Sequence, residues 1–201
     1  MLPGTTIDLD WESKHYAAFF NGTDSGILID NLSGSCLGTD LSKCTDGFSV
    51  AFWIKWIEWK PNFIISSAWF NWKHFTDQMI PLEVWNGTTS WRMFFPRKSE
   101  NKGWEHYVIT WSQSNGISIF VNGLDKSALN VEGTNVIHTA GKDIQPGRLA
   151  LGTSAEKKRS EVVTVVIKMR QLSLWNTCLT KAQIENIYKN EGMNFSVIFI
   201  H

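Results

Sequence analysis

The sequence is short of several things, and each shortage excludes a class of protein. Neither charge is in excess: 19 Lys and Arg balance 19 Asp and Glu across 201 residues. The single basic run, Lys157-Lys158-Arg159, is flanked by Glu156 and Glu161 and reads as a solvated loop. Nucleic acid is therefore not an expected partner. Long apolar runs are missing too. None approaches the roughly 20 residues of a spanning helix, so this chain is not expected to insert in a membrane. The last apolar stretch, residues 195–200, has the length of a strand. The opening Met1-Leu2-Pro3-Gly4-Thr5-Thr6 lacks the basic start and apolar centre of a signal peptide. The chain is accordingly expected to be a segment of a longer, multidomain protein.

Cysteine is scarce, at three. Cys36 and Cys44 bracket a short polar loop that a disulfide would close, although the sequence alone leaves the connectivity open. Cys178 stands apart, and a small packed thiol is its default role. Asn-X-Ser/Thr sequons occur at Asn21, Asn31, Asn86 and Asn194. With the cysteine pair they lean towards a secreted or cell-surface protein, the sequon asparagines being candidate N-glycosylation sites.

Tryptophan, by contrast, is abundant. Nine of the 11 lie between Trp53 and Trp111. Most are expected to fill a core and cover sheet faces. The exceptions are expected in residues 68–77, which read as a loop or irregular edge, and beside the turn at Asn86-Gly87-Thr88. Trp69, Trp72, His74, Trp85 and Trp91 are thus the candidate ligand-binding residues. An aromatic face complements the apolar face of a sugar ring or a partner surface. His74 and Asp77 have the spacing of two metal ligands, but no third ligand stands near them.

Strand patterns dominate. Residues 104–111 alternate, with Glu105, Tyr107, Ile109 and Trp111 on the more apolar face. Ile117, Ile119 and Val121 continue that pattern beyond a turn ending in Asn115-Gly116. An isolated hairpin is marginal in water, so this one needs a partner sheet. Residues 47–56 form a second strong strand, with Phe48, Val50, Phe52 and Ile54 on one face. Shorter strands are expected at 16–20, 27–29, 62–67, 79–85, 91–95 and 147–152. Residues 124–143 read as a long polar connection. Over 162–175 the alternation shifts phase between Ile167/Met169 and Leu172/Leu174, which signals a bulge. One helix follows. Thr180 and Gln183 have the spacing of a capping box, Leu179 and Ile184 that of a hydrophobic staple, and Gly192 is the expected stop.

Residues 1–15 read as a polar lead-in before a single domain spanning 16–201. Within the lead-in, Asp8, Asp10 and Glu12 resemble the alternating acids of some β-sandwich glycoside hydrolases, where two carboxylates flank the scissile bond. A solvated lead-in strand is the expected role here.

Five pieces stand in a recognisable order: Phe19-Phe20-Asn21-Gly22; residues 47–55; the hairpin over 104–123; Arg148-Leu149-Ala150-Leu151-Gly152; and residues 172–184. Together they resemble a laminin G-like or pentraxin-like domain of the concanavalin A-like superfamily. The resemblance implies an all-β antiparallel jelly-roll β-sandwich of two curved sheets with one short C-terminal helix. The loop from Cys36 to Cys44 before Gly47-Phe48 resembles the variant in adhesion G-protein-coupled receptor ectodomains, which implies a disulfide there. The function implied is a non-catalytic extracellular recognition module with a protein or glycan ligand. A calcium-dependent lectin is the alternative, calcium being the one cofactor in question, and a glycoside hydrolase stands behind both.

Overall fold

The computed structural model describes residues 1–2, 4–10, 15–23, 25–30, 32, 35–58, 62–74, 79–86, 89–96, 103–127, 131–134, 147–153, 163–191 and 199–200. Two sheets face each other. The larger contains β1 (Thr5–Asp10), β2 (His15–Thr23), β4 (Phe48–Glu58), β9 (Trp104–Ser112), β10 (Gly116–Val121), β11 (Leu124–Asp125) and β14 (Val163–Trp175). Its order is β1-β2-β14-β4-β9-β10-β11, and β15 (Phe199–Ile200) lies alongside β14. The smaller runs β12-β8-β7-β6-β5-β13-β3. Its members are β3 (Ile27–Ile29), β5 (Asn62–Ser67), β6 (Phe70–His74), β7 (Met79–Trp85), β8 (Ser90–Pro96), β12 (Val131–Thr134) and β13 (Leu149–Leu151). All pairings are antiparallel except β14 with β15. This is the two-sheet sandwich with a C-terminal helix that the family resemblance implies.

The core is built from the inward faces. Tyr107, Ile109 and Trp111 of β9 lie opposite Val121, Ile119 and Ile117 of β10, and all six are buried. Phe48, Val50, Phe52 and Ile54 of β4 join them from the next strand. From the smaller sheet come Ile65, Phe70, Trp72, Leu82, Val84 and Met93. On the outer face of the larger sheet, Ala51, Val108 and Phe120 are covered by Leu179 and Ile184. That contact seats α2 (Lys181–Glu191). Its capping box forms: Thr180 N donates to Gln183 Oε1 at 2.8 Å, and Gln183 N donates to Thr180 Oγ1 at 3.3 Å.

Cys36 and Cys44 are joined by a disulfide, with their Cα atoms 5.2 Å apart. It closes a loop containing the short α1 (Cys36–Thr39) and a 3₁₀ turn at Leu41–Lys43. The bulge in β14 is also present. Arg170 lies opposite Trp53 but Ser173 lies opposite Ala51, so β14 carries one extra residue there. Gln171 takes a positive φ of 53°. The extra residue turns Leu172 and Leu174 inward on the side that Ile167 and Met169 occupy before it.

One strand reading needs correction. Residues 68–77 do not form an irregular edge over their first part: β6 is an interior strand of the smaller sheet. The turn before it carries no Gly, Pro or Asn; Ser67 Oγ accepts from the backbone N of Trp69 and of Phe70, at 3.3 and 3.1 Å. In β5, both Ile64 and Ile65 are buried while Phe63 is only partly so. The register slips between Phe63 and Ile65, which breaks the simple alternation. Within residues 1–15, β1 pairs with β2 from Thr5↔Phe20 to Asp10↔His15.

Candidate functional site

A cleft of about 300 Å³ lies between the two sheets where β1, β2 and β14 reach past the smaller sheet. Its position follows from the pairing. Tyr16, Ala18 and Phe20 share one face of β2, and Ile7 pairs opposite Ala18 on the same side. Phe20 is fully buried and Ala18 partly, but Tyr16 is 71% exposed and Ile7 52% exposed. The cover of the smaller sheet therefore gives out along this face. Phe52, Met169 and Leu172 form the floor, and Ile27 and Leu151 of the short β3 and β13 form the wall. The β14 bulge brings Gln171 to the lining as well. A bulge with a positive-φ side chain re-aims a residue at a site, at the expense of the ladder.

The face opposite the cleft is polar and closed. Asp10 is 4% exposed there; it accepts from Lys168 Nζ at 2.8 Å and from Trp104 Nε1 at 3.0 Å. The Arg170 guanidinium lies over the Trp53 and Trp104 rings, 4.8 and 4.9 Å from their centres. Trp53 continues the stack to His106 and Tyr188. Asp8 shares this outward side of β1 and accepts from Thr6 Oγ1 at 2.7 Å. Asp8 and Asp10 thus point away from the cleft, and Asp10 ties β1 to β14 and β9. Glu12 lies outside the described residues.

A further buried carboxylate, Glu105, is 1% exposed and accepts from the Tyr107 hydroxyl at 2.9 Å. Burial, and next the Glu105 charge, push the Tyr107 phenol well above its ordinary range.

Of the candidate ligand residues, Trp69, Trp72, Trp85 and Trp91 do not present their rings as one surface. Trp72 is fully buried and Trp85 is 7% exposed, so the expectation that they present their rings to a ligand is corrected. The reason is their strands: Trp72 faces inward on interior β6, against Phe52 and Tyr107. Trp69 and Trp91 are half-buried against the core, and the Trp91 ring meets Trp111 edge-on at 5.0 Å. His74 ends β6, paired with Asn62. Asp77 lies outside the described residues, as do the sequons at Asn31 and Asn194. Asn21 is exposed on β2, and Asn86 is half-buried at the β7–β8 turn, where its Oδ1 accepts from Thr89 N at 2.9 Å. Among the described residues no group of three or more His, Cys, Asp or Glu is placed to hold a metal ion. No helix among them is long and apolar enough to cross a membrane.

Ile7, Tyr16 and Gln171 were not chosen from the sequence as site residues. The signal for the first two is present in Ile7-X-Leu9 and Tyr16-X-Ala18, two brief alternations across a short polar connection.

A laminin G profile, described as the concanavalin A-like lectin/glucanases superfamily, matches residues 17–185. A search of the curated proteins found no match. Among solved structures, the receptor-binding domain of botulinum neurotoxin type G superposes with a TM-score of 0.64 at 13% identity, covering 95% of this chain and 45% of that one. A structure reported for botulinum neurotoxin type C, whose cell entry depends on interaction with two ganglioside molecules, gives 0.62 at 12% identity, with 92% and 44% covered. The native heptameric SAP-like pentraxin from Limulus polyphemus gives 0.50 at 19%, with 72% and 70% covered. At these identities the likeness is one of fold, and the chain spans less than half the length of the toxin domains.

Proposed function

Because this chain belongs to the concanavalin A-like lectin/glucanases superfamily, in its laminin G branch, we propose that it is a non-catalytic recognition module of an extracellular protein. The observation that carries the proposal is the cleft. It is an open, largely apolar feature with an exposed Tyr16, and neither Asp8 nor Asp10 points into it. Ligand sites in proteins are typically concave and mostly apolar, with few polar groups. Asp10 is spent on Lys168 and Trp104, and Glu105 on Tyr107, which supports binding over hydrolysis.

The Cys36–Cys44 disulfide and the sequons at Asn21 and Asn86 support an extracellular setting. The disulfide-closed loop before β4 resembles the variant in adhesion G-protein-coupled receptor ectodomains, and membership of such a receptor is part of the proposal. The ganglioside interaction reported for botulinum neurotoxin type C supports a cell-surface ligand for this fold. Trp69 and Trp91, half-exposed on the smaller sheet, are proposed as secondary contacts; N-glycans are proposed on Asn21 and Asn86.

The test is a binding survey. The purified, oxidised chain is applied to a panel of matrix proteins, receptor ectodomains and glycans, with and without calcium. Saturable binding to one of these is expected, weakened by Tyr16→Ser. Failure to engage any of them overturns the proposal.

A further inference from the structure

We infer that the cleft between the sheets takes a single aliphatic chain of an amphiphilic lipid, an assignment that rests on the cleft being the binding site. Exposure is the first ground. Five large hydrophobic side chains are exposed among the described residues, and two of them, Ile7 and Tyr16, stand at this cleft. Exposed apolar groups gathered at one place mark an interaction site.

Size is the second. A cavity of about 150 Å³ takes up one benzene ring. This cleft, at about 300 Å³, is roughly twice that and exceeds what one projecting protein side chain fills. It is too small for an element of a folded partner, so an extended chain fits it best.

Chemistry is the third. Ala18, Phe52, Met169 and Leu172 below, with Ile27 and Leu151 beside them, line it with carbon. A sugar ring brings several hydroxyls, each of which loses water and needs a partner on burial. The polar side chains at the lining are the Tyr16 hydroxyl, the Gln171 amide and Arg170. The Arg170 guanidinium is held over Trp53 and Trp104 and is not offered to a ligand. One or two polar groups suit the head of an amphiphile; they do not satisfy a sugar.

The test uses straight-chain fatty acids of about six to fourteen carbons, below their micelle concentrations. Each competes with an environment-sensitive fluorescent fatty acid bound to the intact, oxidised chain. Affinity should rise about fourfold per methylene, the transfer gain of one buried CH₂, and then level off once the cleft is full. The paired substitution of Ile7→Ser with Tyr16→Ser, at exposed positions, should weaken binding tenfold or more at an unchanged Tm. Ala18→Phe should block it by filling the cleft; if that variant fails to fold, the exposed pair decides. No displacement, displacement without chain-length dependence, or displacement only by methyl glycosides or a capped apolar peptide overturns the inference. The two proposals fail separately. Partners found in the binding survey with no fatty-acid binding remove only the lipid assignment. Fatty-acid binding with no surveyed partner leaves it standing and removes the recognition role.

Discussion

Buried polar side chains set the sharpest consequences at the scale of the residue. Tyr107 donates to Glu105 deep in the sandwich, and its phenol is held protonated far above its ordinary value. An unfolded tyrosine loses its proton near pH 10, roughly. Below that pH the stabilisation is fully present. As pH rises beyond it, the unfolded chain releases a proton that the folded chain keeps, and stability falls. One tyrosine is therefore expected to ionise only with unfolding in an ultraviolet alkaline titration, and Tyr107→Phe should abolish that phase. The same variant leaves Glu105 buried without the phenol's donation and should cost about 1–3 kcal/mol in denaturant unfolding at neutral pH. Gly47 shows a backbone limit. Its φ is +77° and a Cβ there would run into the Trp111 carbonyl oxygen. Gly47→Ala is expected to destabilise by about 1–3 kcal/mol or more, read as a lower denaturation midpoint. The alternation in the sequence revealed which face Tyr107 and Trp111 occupy. It did not reveal that Glu105, the most polar residue of that face, would be buried with them, because that depends on the cover the opposing sheet gives, although its partner Tyr107 is only two residues away on the same face.

Single elements were legible in the sequence to the extent that their signals are local. The capping box and staple of α2 involve residues within five positions of one another, and the helix begins where they predict. Thr180→Ala should cost about 1 kcal/mol, measured by thermal unfolding. The β14 bulge was legible for the same reason: the phase of inward residues changes within the strand itself. By contrast β6 lacks a local turn signal. Phe70, Asn71, Trp72 and Lys73 alternate cleanly, but the turn before them is made by Ser67 rather than by a glycine or proline. A disulfide spanning so few residues acts mostly on the unfolded chain. Replacing both Cys36 and Cys44 by serine is expected to lower stability by about 2–3 kcal/mol, with the fold retained by circular dichroism.

For the whole molecule, β1 matters more than a lead-in would. It edges the larger sheet, carries Ile7 to the cleft, and is clasped through Asp10 to Lys168 of β14 and Trp104 of β9. Removing residues 1–10 should lower the Tm by several degrees, strip the clasp from Lys168, and leave β2 as a bare sheet edge prone to self-association. Light scattering together with thermal unfolding checks both effects. The clasp joins residues 94 and 158 positions apart in sequence, and no local pattern announces it.

The sequence by itself determined the class of fold, the course of most strands, the single C-terminal helix and the loop that the disulfide closes. The strands and the helix rest on side-chain period, turn chemistry and capping, which act over a few residues; the sandwich and the closed loop rest on the resemblance of the ordered pieces to a laminin G-like domain. Only the tertiary structure decided which aromatic rings are spent on the core and where the surface stays open. Trp72 is buried because the strands on either side of β6 hold it in the middle of a sheet. Tyr16 is exposed because the opposite sheet ends before reaching it. Both outcomes depend on how far one sheet extends over the other, a distance set by pairings remote in sequence.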